Sequence, residues 1–341
     1  MNIHKPARLT LSVETEKWPL KSPFRITGYT MLDCEVVVVT LGQDGLMGRG
    51  EAAGVYYLQD DVAAMVSRIE AVRASIEAGI DRESLQRLLP PGGARNAVDC
   101  ALWDLDAKRT GRPAWQLAGL EEPRPLLTAH TLGADSPEVM AGGARAYQDA
   151  KLLKLKLTGE AADADRIRAV RAARPDVSLA VDANQGFTRS SLEALVPVLT
   201  QARVTLIEQP FRIDQDAQLD GLKLAIPIAA DESAQSLRDL PGLVGRFGVV
   251  NIKLDKCGGL TEALAIAREA RRLGLDVMVG NMTGTSLAMA PGFLVGQLCQ
   301  VVDLDGPLFL RSDRTPAASF DGGSISCPES LWGGATPARA N

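Results

Sequence analysis

The sequence predicts a (β/α) barrel of the TIM type with an α+β capping domain built from the N-terminal segment and the C-terminal tail. Three observations predict it. First, eight short apolar runs recur from about Leu126: LLTAHTLG, LLKLKLTG, SLAVDANQ, TLIEQP, IPIAADES, GVVNIKLDK, DVMVGNM and VVDLDGP. Eight strands close such a barrel, and helical stretches separate most of the runs. Second, Asp182, Glu208 and Asp231 fall at the ends of three consecutive runs, 26 and 23 residues apart. That interval holds one strand, one helix and two loops. Third, the chain before Leu126 places strands first and helices second, the order of an α+β unit.

In that first part Leu9, Leu11 and Val13 alternate as in a strand, and CEVVVVTL (Cys34 to Leu41) reads as a buried strand. VAAMVSRIEAVRASIEAG and ARNAVDCALWDLDAKRTG follow, with apolar residues at helical spacing. Residues 1–125 are therefore expected to form the capping domain and 126–310 the barrel. Among the barrel helices LTEALAIAREARRLG, after the sixth run, is the clearest. From about Leu310 the chain turns Gly- and Ser-rich (FDGGSISCP), and 311–341 is expected to fold back onto the first domain.

At 341 residues the chain can hold both units. A formal net charge of −5 leaves no basic face for nucleic acid. Apolar stretches such as LAMAPGFLVGQL are too short and too interrupted to span a bilayer. MNIHKPARLTLSVETEKW has no apolar core of a secretory signal. Five scattered cysteines without CxxC spacing argue against disulfides and structural zinc, and a cytoplasmic location is expected. The two histidines, His4 and His130, are too few for a His-rich site.

Asp182, Glu208 and Asp231 are hard oxygen donors, suited to Mg²⁺, or alternatively Mn²⁺, rather than zinc. One such Asp could simply cap a helix. Three at the ends of consecutive barrel strands converge on one mouth, which is the pattern of a metal site. Lys154 and Lys156 are two apart, so they share a strand face, while Leu153, Leu155 and Leu157 turn to the surrounding helices. A like charge or a bound cation depresses a lysine's pKa. Such a lysine is expected to be partly neutral near pH 7 and to act as a general base. Lys253, four strands later, lies across the barrel. Lys156 and Lys253 would thus approach one substrate carbon from opposite faces, as racemisation requires. Lys256 competes with Lys253 for this role. Asp303 and Asp305 share a face of the eighth run and suit a cationic group such as a substrate ammonium. The bland alternative is that Asp305 only opens the DGP turn.

On these residues the chain resembles the enolase superfamily, muconate-lactonizing subgroup, and within it the dipeptide epimerases of the L-Ala-D/L-Glu type. The resemblance runs through ARNAVDCALWDL, LLKLKL, VDAN, EQP, ADES, VNIKLDKCGGLTEAL and DLDGP. KxK, the D/E/D set and the late lysine mark the subgroup; Asp-x-Asp on the eighth strand marks the dipeptide epimerases. The resemblance implies Mg²⁺ on Asp182, Glu208 and Asp231, acid/base work by Lys156 and Lys253, and an auxiliary Lys154. It implies that Asp303 and Asp305 hold the dipeptide's α-ammonium and that Asn184 supports Asp182 from behind. The implied reaction is a 1,1-proton transfer at the α-carbon of the C-terminal residue, through an enediolate, in murein peptide metabolism. A Lys base acting with Mg²⁺ on an ene-diolate is the established pattern of that superfamily, not a deduction from spacing.

Capping loops near Lys21 to Met31 and Gly48 to Tyr57 would set specificity, with Tyr29 and, from the barrel, Thr131 against the substrate. In Ala-Glu epimerases an arginine four or five residues after the PF pair reads the glutamate side chain. Here Gly28 and Tyr29 occupy that neighbourhood, and Arg25 directly follows PF. Either Arg25 reaches the same carboxylate or the second residue is not Glu. N-acylamino acid racemase, o-succinylbenzoate synthase and cycloisomerase are the alternatives within the superfamily, and none needs an ammonium site. A catalytically silent ligand-binding barrel is the alternative outside enzymes. The expected partners are a small dipeptide and, since barrels of this size often associate, further copies of the chain in a homo-oligomer.

Overall fold

The structure, a computed structural model, describes residues 8–335; His4, with the rest of residues 1–7, and residues 336–341 lie outside the described residues. Strands β1 (Thr10–Ile26), β2 (Tyr29–Gln43) and β3 (Leu46–Ala52) form one antiparallel sheet in sequence order. β2 is apolar on both faces because it separates two cores. Val36 and Val38 join the core shared with the barrel, while Val37, Val39 and Leu41 join a smaller one with Met65, Ile69 and Leu102. The helical stretch at 62–79 is two helices, Val62–Ala71 and Arg73–Glu77, because Val72 leaves helical geometry at φ −114 and ψ 8. The next helix, Gly93–Thr110, is buried along most of its length between β3 and the barrel. Glycines allow that approach: a Cβ at Gly50 would stand 2.1 Å from Ala97 O, and one at Gly48 2.3 Å from Ala101 O.

Strand β4 (Leu126–Leu127) is not part of the barrel. It pairs with β14 (Ser324–Ser326), whose other neighbour is β13 (Ser319–Asp321). The first apolar run is thus divided at Thr128, whose N–H donates to Gly323 O at 3.0 Å. The tail hairpin lies on this short strand, and the chain beyond it reaches the capping domain. There Trp332 Nε1 donates to Arg49 O at 2.9 Å and Gly333 N to Asp104 Oδ1 at 2.8 Å.

The barrel itself has eight parallel strands in sequence order: β5 (Ala129–Leu132), β6 (Leu152–Lys156), β7 (Ser178–Asp182), β8 (Val204–Glu208), β9 (Ile228–Ala230), β10 (Val249–Ile252), β11 (Asp276–Val279) and β12 (Val301–Val302). The period of two sends Leu153, Leu155 and Val181 outward into the main core. Ala180, Leu206, Ala229, Val249 and Met278 fill the lumen as an apolar plug. The polar residues stand above that plug, at the C-terminal ends of the strands, where barrels of this kind place their sites. No helix among the described residues is long and apolar enough to cross a membrane.

Candidate active site

Asp182 ends β7, Glu208 ends β8, and Asp231 directly follows β9. The parallel register sets Asp182 beside Glu208 on one side and beside Lys156 on the other. All three acids are buried, and one oxygen from each lies within 4.8 Å of the others. Backbone N–H of Asn184 donates to Asp182 Oδ1 at 2.9 Å. Asn251 Nδ2 donates to Glu208 Oε1 at 2.9 Å.

Four lysines surround the acids. Lys154 Nζ lies 3.0 Å from Asp182 Oδ2, 2.7 Å from Glu208 Oε2 and 2.8 Å from Asp303 Oδ2. Lys156 Nζ is 2.6 Å from Asp182 Oδ2, and Lys253 Nζ 2.6 Å from Asp231 Oδ2. Lys256 Nζ is 2.5 Å from Asp231 Oδ1 and 3.1 Å from Asn251 O, with its side chain fully buried. Lys156 and Lys253 also line a cavity above the acids, and Lys256 does not. Geometry therefore separates the two candidates of the sixth strand: Lys253 faces the cavity, and Lys256 braces Asp231 from beneath.

Carboxylates are the nearest charges to these lysines. Burial pulls Lys154 and Lys253 down, but carboxylates outweigh it: Asp182, Asp303 and Glu208 for Lys154, and chiefly Asp231 for Lys253. Both are held above the usual lysine range, because the nearest charges are opposite rather than like. Asp182 and Asp231 are held below the usual carboxylate range by their lysine neighbours, despite burial. Glu208 goes the other way, to about 8, through burial and then the charge of Asp182.

The residues fit a divalent cation. Asp182, Glu208, Asp231, Glu232, Asp303 and Asp305 are buried together with Lys154, Lys156, Lys253 and Lys256. Asp182, Glu208 and Asp231 bring one hard carboxylate oxygen each to within 4.8 Å of the others, the donor type that such a cation takes. Two buried acceptors beside the acids, Asn184 Oδ1 and Glu232 Oε2, have no hydrogen-bond partner. Such acceptors suit the waters that a small hard cation retains.

Asp303 and Asp305 are both buried past the end of β12. Thr131 joins them: its N–H donates to Asp305 Oδ2 at 2.6 Å, and its Oγ1 is 3.5 Å from Asp303 Oδ1. Burial, and then the charge of Asp303, pushes Asp305 up to about 7. Asp303 stands apart from Asp182, Glu208 and Asp231 in strand order, yet barrel closure brings it to Lys154 beside them.

The capping residues 21–31 and 48–57 are mainly strands rather than loops. Residues 21–26 finish β1, 29–31 begin β2, and 48–52 lie in β3. At the tip of the first hairpin, Thr27 Oγ1 donates to Leu157 O at 3.0 Å, which pins the tip onto the barrel mouth. Phe24 and Ile26 line the cavity above the lysines, whereas Arg25 lines a second cavity, which Phe24 also borders. Arg25 Nη1 lies 3.6 Å from Asp135 Oδ2, and of the predicted site residues Arg25 shares its cavity with Thr131. Tyr29 lines the cavity and stacks on Tyr56, ring centroids 4.7 Å apart.

Several site residues escaped the sequence reading. Glu232 is buried and lines the cavity, yet its neighbour Asp231 absorbed the only signal in ADES. Asn251 sits inside NIK, where its lumen-facing position was readable from Lys253 by the period of two. Asn281 lines the cavity from the turn after β11 and donates from Nδ2 to Asp303 O at 2.7 Å. No spacing rule marks it.

Comparison with known proteins agrees with this architecture. Residues 8–119 match the mandelate racemase / muconate lactonizing enzyme N-terminal domain, and residues 139–330 the enolase C-terminal domain-like family. L-Ala-D/L-Glu epimerase of Escherichia coli K12 is 40% identical over 93% of this chain and 99% of its own length. N-acetyl-D-glutamate racemase of a Pseudoalteromonas species is 38% identical over 88% and 96%. A solved enolase family member of Agrobacterium tumefaciens with homology to dipeptide epimerases, with bound sodium and L-Ala-L-Glu, superposes with TM-score 0.93 at 40% identity, covering 95% of this chain and 100% of its own. The dipeptide epimerase of Methylococcus capsulatus, complexed with Mg and L-Arg-D-Lys, gives TM-score 0.86 at 30% identity, covering 93% and 96%. These named epimerases and racemases are isomerases, and the chain belongs with them to the mandelate racemase / muconate lactonizing enzyme family of the enolase superfamily.

Proposed function

We propose that the protein is a Mg²⁺-dependent dipeptide epimerase of the L-Ala-D/L-Glu type, serving murein peptide metabolism in the cytoplasm. It inverts the α-carbon of the dipeptide's C-terminal residue. One observation carries the reading: Lys156 and Lys253, from strands four apart, line a single cavity with Asp231, and each is bonded to one of the clustered acids Asp182 and Asp231.

Mg²⁺ on those three carboxylates supplies a Lewis acid for the substrate carboxylate. The rest is the work of the chain. Lys156 Nζ removes the α-proton from one face, and Lys253, as ammonium, delivers a proton to the other; the reverse reaction exchanges the roles. Lys154 spans Asp182, Glu208 and Asp303, which fixes the acids relative to one another. Asp303 and Asp305 receive the dipeptide's ammonium. Phe24, Ile26 and Tyr29 close the cavity from above and exclude water from the reacting carbon.

The test is incubation of the Mg²⁺-loaded protein with L-Ala-Xaa dipeptides, L-Ala-L-Glu included, in D₂O, read by proton NMR. Deuterium at the α-carbon of the second residue is the expected result. No exchange with any dipeptide would remove the reading.

A second reading, an N-acylamino acid racemase, is favoured by one contact. Lys154 already pairs with Asp303 at 2.8 Å, so that carboxylate has a cation without any substrate ammonium.

A further inference from the structure

Tyr57 sits in the turn between β3 and the helix Val62–Ala71, and it lines the cavity together with Lys156, Lys253 and Asp231. Its hydroxyl is buried without a hydrogen-bond partner, and it is the only hydroxyl in that state among the described residues. A buried phenol normally finds a partner, because its O–H has given up water. Asn184 Oδ1 and Glu232 Oε2, the acceptors that stand free beside the cavity, also lack partners, so neither meets the Tyr57 hydroxyl. Its partner must come from inside the cavity.

The turn holds that ring in place. Ala53 N and Gly54 N donate to Asp255 Oδ1 at its start, at 2.9 and 3.0 Å. Val55 N donates to Asp60 O at 3.2 Å across it, and Asp60 Oδ2 accepts from Gly93 N at 2.7 Å at its end. The backbone is so close there that a Cβ on Gly54 would stand 1.9 Å from Asp60 O. The Tyr57 ring meets Tyr56 edge-on with centroids 5.2 Å apart, and Tyr56 stacks on Tyr29. Two capping segments thus fix the position of one unpaired O–H.

On the epimerase reading, a dipeptide enters this cavity with its α-carbon between Lys156 and Lys253. The oxygens nearest that carbon belong to its carboxylate and its peptide carbonyl, and both are acceptors. A phenol donates to either without adding charge to the site. We propose that Tyr57 is a substrate-binding residue, whose hydroxyl donates a hydrogen bond to an oxygen of the bound dipeptide. The assignment rests on the epimerase reading and adds a residue to it.

The test is Tyr57→Phe, which keeps the ring against Tyr56 and removes the hydroxyl alone. In the Mg²⁺-loaded protein, kcat/KM for the best L-Ala-Xaa dipeptide should fall by about tenfold or more, read by α-deuterium exchange. A fall in kcat places the hydroxyl on a carboxylate oxygen, which gains charge as the α-proton leaves. A rise in KM alone places it on the peptide carbonyl, which does not. The melting temperature of the substrate-free protein should stay level or rise, since an apolar edge replaces a buried hydroxyl without a partner. Its response to Mg²⁺ should be the same in both proteins. A kcat/KM within about twofold of the wild type would mean that the hydroxyl meets only water, and would overturn the assignment. So would a melting temperature several degrees lower, the mark of a bond within the protein. A weakened response to Mg²⁺ would overturn it too, by placing the hydroxyl on water held by the metal. If the wild type exchanges no dipeptide, the epimerase reading itself fails and the assignment falls with it.

Discussion

Asp303, just past the eighth barrel strand, accepts a hydrogen bond from Lys154 of the second at 2.8 Å. The same ammonium lies 2.7 Å from Glu208 Oε2, so one lysine links the proposed ammonium site to the Asp182, Glu208 and Asp231 set. Asp303→Asn keeps the size of the side chain and removes its charge. If Asp303 reads the substrate ammonium, kcat/KM for a free dipeptide should fall by roughly one to two decades, since a charge-assisted contact contributes about 1.5–3 kcal/mol. An N-acetylated dipeptide should lose less. Equal losses would assign Asp303 to Lys154 alone and favour the N-acylamino acid racemase reading.

The two cavity lysines should separate by stereochemistry. Lys156→Ala and Lys253→Ala should each abolish epimerisation, because inversion needs both faces. Each variant should still exchange the α-proton of one isomer. Normal epimerisation by Lys253→Ala would hand its role to Lys256. The fully buried contact of Lys256 with Asp231 predicts a different phenotype for Lys256→Ala, a lower melting temperature, because a buried carboxylate loses one of its two lysine partners.

Removal of divalent cations should be visible without any turnover measurement. Mg²⁺ at about 100 times its dissociation constant stabilises a folded protein by about 2.7 kcal/mol. Chelation should therefore lower the melting temperature by several degrees, and Mg²⁺ should restore it. Asp182→Asn and Asp231→Asn should blunt that response. A melting temperature indifferent to Mg²⁺ in the wild type would remove the metal assignment.

Asp255 gives a pH signature outside the acid set. It accepts from Ala53 N at 2.9 Å and Gly54 N at 3.0 Å, joining the capping domain to the segment after β10. Burial pushes its carboxyl up to about 7 from 3.8. The fold therefore favours the protonated form. The stability it contributes is complete below the unfolded value and is lost as pH rises from about 4 through about 7, up to roughly 4 kcal/mol. Asp255→Asn keeps an acceptor for both N–H groups and should flatten this part of the stability curve. Urea midpoints at pH 5 and pH 8 for both proteins test it; parallel curves would mean that Asp255 is ionised throughout.

The parts of the site that the sequence alone determined are those set by local periodicity. A strand's period of two put Lys154 and Lys156 on one face and Leu153 and Leu155 on the other, and the βα repeat put Asp182, Glu208 and Asp231 at neighbouring strand ends. These depend on neighbours a few residues away, or on a repeat whose spacing is visible in the chain. Tertiary structure decided what depends on closure and on which face meets which. It brought Asp303 to Lys154 across the seam between the eighth and first strands, where Leu304 N donates to Thr128 Oγ1 at 3.0 Å. It placed Arg25 on a second cavity, apart from the one that Phe24 and Ile26 line above the lysines. It also set opposite charges, rather than like ones, nearest Lys154 and Lys253. A side chain's ionisation follows the sum of Coulomb terms from every group within a few ångströms, and those groups come from strands far apart in sequence.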